Sequence, residues 1–461
     1  MANPQTCPFQ TFFKLPLRNG LTRPKAVRGE GTKMINMGEI FAHGRIGDIE
    51  MDRVNVSDRE AASFLLEPGD LLFARQSLVL EGAGKCSIFL GAKEPATFES
   101  HIIRARLDSK LADPSFFYYF FNSPAGRSTI TSIVEQVAAA GIRGSDLARL
   151  EVANVPREQQ GVIARILGTL DDKIELNRRM NETLEAMARA IFKSWFIDFD
   201  PVRRNIVRRT GQTQPSPAAS RYPLPVGEGQ GEGSVEELDR LFPDRFEDSE
   251  LGEIPEGWEV GSLANFASLN SETWLKETRP DIINYVDLSN TKWGCIEAVT
   301  AYPRQNAPSR AQRILRPGDT VVGTVRPGNG SYAFISEDGL TGSTGFAVLR
   351  PRRAEHPAFV YLAATAADNI EALAHLADGA AYPAVRPEVV IGTQAVRAGD
   401  NVLGRFAQVA NPLLGKMAEN ERESRTLAAL RDALLPKLIS GELRVKHRDE
   451  PLAEDRYGVQ G

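Results

Sequence analysis

The chain has 461 residues, 42% hydrophobic and 25% charged, with a net charge of −5; that is the balance of a globular protein with apolar material for more than one core, at about 150 residues per domain. No run approaches the roughly 18 apolar residues of a membrane span, and Met1 to Cys7 lack the basic and apolar segments of a secretory signal. Cys7, Cys86 and Cys295 are too far apart for a zinc site or a disulfide framework, so a cytoplasmic protein is expected.

Taken in chain order, short β-like runs come first, Leu71 to Phe73, Cys86 to Leu90 and Ile102 to Leu107, separated by Gly, Pro and Asp turn signals. A helix-like aromatic segment, Phe116 to Phe121, follows. From about Arg157 to Phe196 the chain turns long, polar and periodic, as a helix does. Gly211 to Gly233 is rich in Gly, Pro, Ser and Glu and reads as a flexible linker. Its alternating glycines lack the flanking strand and helix of a nucleotide loop. A second mixed region then leads to a second long helical segment, about Asp400 to Ser440.

The two halves repeat each other. Pro68-Gly69-Asp70 precedes Leu71-Leu72-Phe73, and Pro317-Gly318-Asp319 precedes Thr320-Val321-Val322, an offset of 249. Gly47-Asp48-Ile49-Glu50 matches Gly294-Cys295-Ile296-Glu297 at 247, and Pro114 to Tyr118 matches Pro357 to Tyr361 at 243, as Thr183-Leu184 matches Thr426-Leu427. Matches in one order with offsets drifting by only a few residues describe two copies of a domain plus a helix, in a repeat too long for a solenoid.

Heptad assignment puts Ile163, Ile166, Leu170, Lys173, Asn177, Met180, Leu184, Met187 and Ile191 on one stripe of the first helix. The same steps of the second carry Phe406, Val409, Leu413, Lys416, Asn420, Glu423, Leu427, Leu430 and Leu434. Both stripes are apolar at the ends and polar in the middle. A shared polar interruption costs stability but fixes register, so the helices are expected to pack on each other. At about 1.5 Å per residue each spans roughly 60 Å, a stiff spacer between two similar domains.

Charge is uneven: Gly227 to Glu256 holds eleven acids against Arg240 and Arg245, a local −9, which leaves +4 elsewhere. Basic clusters such as Arg18, Arg23, Lys25, Arg28 and Lys33, or Arg203, Arg204, Arg208 and Arg209, permit nucleic-acid binding, though each also reads as solvated surface. Catalytic patterns are missing. Asp200-Pro201-Val202 and Asn411-Pro412-Leu413 fall short of an adenine methyltransferase tetrad, and Gly82-Ala83-Gly84-Lys85-Cys86 falls short of a phosphate-binding loop. Pro243-Asp244 has no carboxylate and lysine partners of a nuclease close downstream, and Asp171-Asp172-Lys173 lies on the helix stripe. His43, His101, His356, His375 and His447 show no metal-ligand spacing. A non-catalytic chain is expected.

The paired Leu-x-Pro-Gly-Asp motifs, the lead-in Gly252-Glu253-Ile254-Pro255-Glu256-Gly257-Trp258-Glu259-Val260, the helix start Val155-Pro156-Arg157-Glu158-Gln159-Gln160 and the ending Leu434-Leu435-Pro436-Lys437-Leu438-Ile439-Ser440-Gly441-Glu442-Leu443 together resemble the specificity subunit of type I restriction–modification systems, over nearly the whole chain. The first copy lacks the Gly-Trp-Glu lead-in and starts abruptly near Phe9; the second has Arg397-Ala398-Gly399-Asp400-Asn401 where the first has its Pro-x-x-Glu-Gln helix start. The resemblance implies an α+β fold: two similar mixed α/β target recognition domains separated by two long helices packed as an antiparallel coiled coil. It implies double-stranded DNA, two methyltransferase subunits and restriction/translocase subunits as partners. No cofactor is expected on this chain, with S-adenosylmethionine, ATP and Mg on the partner subunits.

The expected organisation is a first recognition domain over 1–155, a spacer helix over 156–200, a linker over 201–247, a second recognition domain over 248–398, a second helix over 399–443 and a tail over 444–461. Residues expected to meet DNA follow each Pro-Gly-Asp strand or sit in the later glycine-rich loop: Arg75, Gln76, Lys85 and Arg143 in the first copy, and Arg326, Asn329, Tyr332, Tyr382 and Arg386 in the second. Arg and Lys bond guanine edges and Gln and Asn bond adenine edges in the major groove; contact with phosphate, or with solvent alone, is the competing reading for each. A single-chain methyltransferase or nuclease with an unfamiliar site, and a coiled-coil scaffold that binds no DNA, are the competing readings.

Overall fold

The Pro-Gly-Asp strand organises each half. In the computed structural model, which describes residues 6–136, 140–211, 237–275, 277–379 and 382–443, Leu71–Ala74 is buried throughout. It pairs antiparallel with Ile102–Leu107 on one side and Cys86–Phe89 on the other. Alternate side chains point to opposite faces of a strand. Leu71 and Phe73 accordingly join a core with the aromatic helix Pro114–Asn122, while Leu72 and Ala74 join a second core with Ile35 and Phe98. A strand buried on both faces must read as a continuous apolar run, as this one does.

The chain divides into two compact units, 1–176 with 423–461, and 177–422. In the first, Phe13–Asn19, Ile102–Leu107, Leu71–Ala74, Cys86–Phe89 and Arg45–Ile46 form a five-stranded sheet in that order, with the last strand parallel to its neighbour. A smaller sheet centres on Arg28–Ile35, antiparallel to Asp52–Val54 and parallel to Ala96–Phe98. The second unit repeats this plan. Ala267–Leu269, Phe346–Pro351, Thr320–Gly323 and Tyr332–Phe334 form its main sheet, and a parallel Gly294–Ala333 bridge stands where the fifth strand would be. Its second sheet centres on Ile282–Val286, antiparallel to Thr300–Pro303 and parallel to Leu340–Ser343. The copies therefore share topology as well as motifs.

The recurring aspartate now has a physical role. Arg106 donates Nε and Nη2 to the two carboxylate oxygens of Asp70, both at 2.7 Å. Arg350 does the same to Asp319 at 2.9 Å. Asp70 also accepts the Glu67 amide, as Asp319 accepts that of Arg316, at 2.8 and 2.9 Å. Gly69 and Gly318 turn the chain at φ 93° and 91°, a left-handed conformation that costs a side chain dearly. The motif is a turn locked by a buried ion pair, which explains its repetition without reference to any ligand.

Arg157–Phe196 and Asp400–Ile439 are continuous helices of 40 residues each. In the first unit, Ile163, Ala164 and Leu167 from the start of one share a core with Leu435 and Leu438 from the end of the other. In the second unit, Ala188, Ile191, Phe192, Trp195 and Phe196 share a core with Val402, Leu403, Phe406, Ala410 and Leu414. Start meets end in both, so the pairing is antiparallel. Within the second unit the polar interruption closes on itself. Asn177 Nδ2 donates to the Asn420 carbonyl at 3.3 Å, Asn420 Nδ2 to Asn181 Oδ1 at 2.8 Å, and Asn181 Nδ2 to the Met417 carbonyl at 3.2 Å.

The seam differs from the heptad stripe in width. Ile163, Phe406, Asn177 and Asn420 are buried, but Ile166, Leu170, Leu184, Val409, Leu413 and Leu427 are only half-buried, whereas Leu167 and Leu414, one step off the stripe, are fully covered. Near its ends each helix packs on a sheet domain as well as on the other helix. Its apolar face is therefore broader than an a/d seam.

The linker expected over 201–247 is ordered at both ends. Asp200–Thr210 is a helix, and Phe246–Ser249 is a strand paired with Gly252–Pro255. Asp239, buried, accepts three bonds from Arg204, the shortest at 2.6 Å, and one from Arg208 at 2.8 Å. The low-complexity residues 212–236 lie outside the described residues, as does the tail from 444. The first copy also starts earlier than Phe9: Thr6–Pro8 pairs with Glu151–Ala153 just as Glu259–Ser262 pairs with Gln394–Arg397. No helix among the described residues is long and apolar enough to cross a membrane.

Candidate nucleic-acid interface

After the Pro-Gly-Asp strand each copy makes the same excursion. Gln76–Ser77 pairs with Ala140–Gly141, with Gln76 opposite Gly141, and the Ile142 amide donates to the Arg75 carbonyl at 2.9 Å. In the second copy Val325 bridges Ala384, and the Val385 amide donates to the Thr324 carbonyl at 2.9 Å. The strand exit and the later glycine-rich loop, remote in sequence, are thus side by side in both.

In the first copy this brings Arg75, Gln76 and Arg143 together. Gln76 is exposed and Arg75 half-exposed. Arg143 is exposed, donates to Glu135 at 2.6 Å and caps the short helix Gly144–Arg149. Lys85 departs from expectation. Its ammonium donates to the Phe41 carbonyl at 2.8 Å and lies 5.6 Å from the Phe41 ring centre, and burial, then the charge of Arg127, holds its pKa below the ordinary lysine value. It braces the helix Met37–Ala42 against the loop.

In the second copy Arg326 is exposed and adopts a left-handed conformation, φ 49°. Its amide donates to the Pro383 carbonyl at 2.7 Å, its carbonyl accepts the Asn329 amide at 2.9 Å, and its guanidinium lies 5.1 Å from the centre of the Tyr382 ring. A non-glycine residue in this region stores strain of about 1–3 kcal/mol and is concentrated at functional loops. Asn329, Tyr382 and Arg386 are exposed beside it. Arg386 caps the helix Pro387–Ile391 as Arg143 caps its own, 243 residues earlier. Tyr332 does not belong with them. It is 6% exposed, burial raises its phenol pKa, and its ring packs against Trp293 and Tyr361. Tyr332 anchors the loop rather than presenting an edge.

Sequence reasoning passed over Trp293. Trp293 and Gly294 both have positive φ, 48° and 87°, in the two-residue turn joining Thr291–Lys292 to Cys295–Ile296. That is the hairpin turn whose mirror-image geometry favours glycine at both places. The Trp293 indole is 60% exposed and lies on Gly330, where a Cβ would come within 2.6 Å of the ring. Its signal in the sequence was Trp293-Gly294, a Gly-containing dipeptide between two short runs.

The basic clusters are largely committed to internal partners. Arg23 pairs with Glu60 at 2.6 Å, Arg28 with Asp52 at 2.8 Å and Lys33 with Asp48 at 2.7 Å. Arg204 and Arg208 hold Asp239, Arg209 pairs with Asp244 at 3.0 Å, and Arg203 lies over Phe246. Asp239 and Asp244 of the acidic stretch thus pair three arginines of the second cluster, while Arg18 and Lys25 of the first remain exposed.

A duplicated α+β chain, with matching loops on matching frames and two long antiparallel helices, is built as a two-site recognition protein. A family model for the type I restriction modification DNA specificity domain matches residues 47–186. The type I restriction enzyme HindI specificity subunit of Haemophilus influenzae is 26% identical over 326 residues, 63% of this chain and 68% of that one. The MjaIX specificity subunit of Methanocaldococcus jannaschii is 23% identical over 346 residues, 72% of this chain and 69% of that one. The crystal structure of a type I restriction–modification S subunit from M. genitalium shares the fold, with a TM-score of 0.51 at 15% identity over 95% of this chain and 96% of the other. Over these spans the chain is similar to specificity subunits of type I restriction–modification systems.

Proposed function

We propose that each unit reads one half of a bipartite, gapped sequence in double-stranded DNA, with the paired long helices as spacer. Recognition domains over 1–155 and 248–398 would carry the contacts. Partner subunits, two methyltransferases and the restriction/translocase chains, would then methylate adenine or cleave, supplying S-adenosylmethionine, ATP and Mg, in the cytoplasm. The observation that carries this reading is that two topologically equal frames bring the same two loops together while the exposed residues on those loops differ.

The contacts we assign are Arg75, Gln76 and Arg143 in the first unit and Arg326, Asn329, Tyr382 and Arg386 in the second; Lys85 and Tyr332 act behind them. An exposed arginine or glutamine at a strand exit can bond base edges bidentately, worth about 1–3 kcal/mol of discrimination each. The experiment is selection of bound sites from a DNA library randomised over both halves, using the chain assembled with its methyltransferase subunits. Arg326→Ala is expected to relax one half of the selected motif and Arg75→Ala the other. Selected motifs identical to wild type in both variants would remove these residues, and a wild-type complex that enriches no gapped motif would defeat the reading.

A further inference from the structure

Behind the Arg326 loop lies a half-buried polar network that the assignment of base contacts does not use. Arg189, on the first long helix, donates Nε and Nη2 to Glu185 Oε1 at 3.0 and 2.7 Å, and Nη1 to the Thr365 carbonyl at 3.0 Å. Its Nη2 also reaches the Tyr332 hydroxyl at 3.4 Å. The guanidinium lies 5.9 and 5.7 Å from the ring centres of Tyr332 and Tyr361, and the Tyr361 hydroxyl donates to Glu185 at 3.1 Å. Tyr332 in turn receives the Trp293 turn: the Gly294 amide donates to the Tyr332 carbonyl at 2.9 Å, and the Trp293 amide to that of Gly330 at 2.7 Å. Gly330 closes the same short turn that begins at Arg326, its amide donating to Pro327. An unbroken chain of contacts therefore runs from a helix residue to the loop that holds Arg326.

We propose that Arg189, held by Glu185, is a positioning residue for base reading: through Tyr332 and the Trp293 turn it fixes the pose of the Arg326–Gly330 loop. This rests on the assignment of that loop as a DNA contact. A half-buried cation set against two aromatic rings and bonded on several sides has little freedom, and Tyr332 has none to spare at 6% exposed. Bidentate recognition of a base tolerates little displacement of the guanidinium. Truncating Arg189 removes the bracket beneath Tyr332 without touching any exposed residue of the loop. The first unit is built differently. There Tyr119 donates to Asp171 at 2.8 Å and Arg431 to Asp171 at 2.7 Å, a network that ties the helix Pro114–Asn122 to the long helices.

The test is library selection with the methyltransferase-assembled complex carrying Arg189→Met, Arg189→Lys, Tyr332→Phe or, as comparison, Asp171→Asn. Arg189→Met should lower discrimination at the bases read by the Arg326 loop by about tenfold, with the other half of the motif retained. Arg189→Lys should restore part of it, and Tyr332→Phe should show a smaller loss in the same half. Asp171→Asn should leave that half of the motif intact. A merely structural role would lower affinity for all sequences alike, so an unchanged motif in Arg189→Met overturns the proposal, as does equal relaxation of both halves. Should Arg189→Met not fold, an unchanged motif in both Arg189→Lys and Tyr332→Phe overturns it equally. Wild-type selection without any preferred sequence would instead defeat the DNA-reading assignment, and is seen before any variant is made.

Discussion

Removing the Pro-Gly-Asp carboxylate should loosen one unit and spare the other. In Asp319→Ala, Arg350 loses its two bonds at 2.9 Å and the Arg316 amide loses its acceptor. Breaking a buried pair by deleting one partner costs about 3–5 kcal/mol, because the other charge is left desolvated. Here the Arg350 side chain is 20% exposed and keeps Glu272 at 3.1 Å, so a cost just below that range, about 2–3 kcal/mol, is expected. A chain of two units has no single unfolding transition to read. Amide exchange resolved by peptide does read each unit, since strands open locally. Exchange across Thr320–Gly323 and Phe346–Pro351 should rise roughly 30- to 150-fold, the factor that 2–3 kcal/mol implies. Exchange across Leu71–Ala74 and Ile102–Leu107 should stay at the wild-type level, and Asp70→Ala should give the converse. Protection in Asp319→Ala within about threefold of wild type would refute the claim that the motif is a structural lock.

The polar seam is expected to set register. Asn420→Ala strips a buried side chain that donates to Asn181 at 2.8 Å and should cost about 1–2 kcal/mol. Asn177→Leu with Asn420→Leu should preserve helix content by circular dichroism but broaden distances between spin labels on the two helices; distances as narrow as wild type would argue against a register role. Asp239→Ala deprives Arg204 and Arg208 of a buried partner, so trypsin should cut within Asp200–Thr210 far faster than in wild type; an equal rate would mean the ion pair does not hold that helix. Glu60, bonded to Arg23 and to Ser57 at a helix start, has its pKa lowered to about 2. A depressed carboxylate stabilises above its unfolded value, near 4.5, and its contribution fades as pH falls towards 2. The amide signals of Asp58–Phe64 should therefore hold their native shifts down to about pH 3, and loss of helix shifts near pH 4.5 would contradict the pairing.

How far the fold could be read in advance depended on distance along the chain. The repeat, the buried Pro-Gly-Asp strands and the helix pair are legible because turn chemistry and hydrophobic period are local, and two copies corroborate each other. Pairing across long separations was not legible. Arg204 meets Asp239 from 35 residues away, and Arg28 meets Asp52 from 24, so clusters that look cationic in sequence are partly neutralised in space. Thr6–Pro8 carries a proline and little β pattern, and becomes a strand only because Glu151–Ala153 supplies its partner. Tyr332 beside a glycine-rich turn reads as exposed, yet it opens the strand Tyr332–Phe334 and lies under Trp293. Lys85 follows a glycine and looks available, but the Phe41 carbonyl that binds it is 44 residues back.

What the two copies keep and what they change separates stability from specificity. Both keep the Asp–Arg lock, the strand order of the main sheet, and an arginine, Arg143 or Arg386, at the start of the short helix that follows the glycine-rich loop. At the strand exit they diverge: the first has Arg75-Gln76-Ser77 on an added β-pair, the second has Thr324-Val325-Arg326 with a strained backbone at Arg326 and a stacked tyrosine. Gln76, Val325 and Arg326 are exposed whereas Thr324 and Pro327 are buried, so replacing the exposed residues should leave the frames standing. A duplicated frame of this kind can hold two unrelated reading surfaces at no cost to either core. Exchanging 75–77 for 324–326 should then transfer a base preference only where the residues behind the loop, Arg189 and Tyr332, are matched as well.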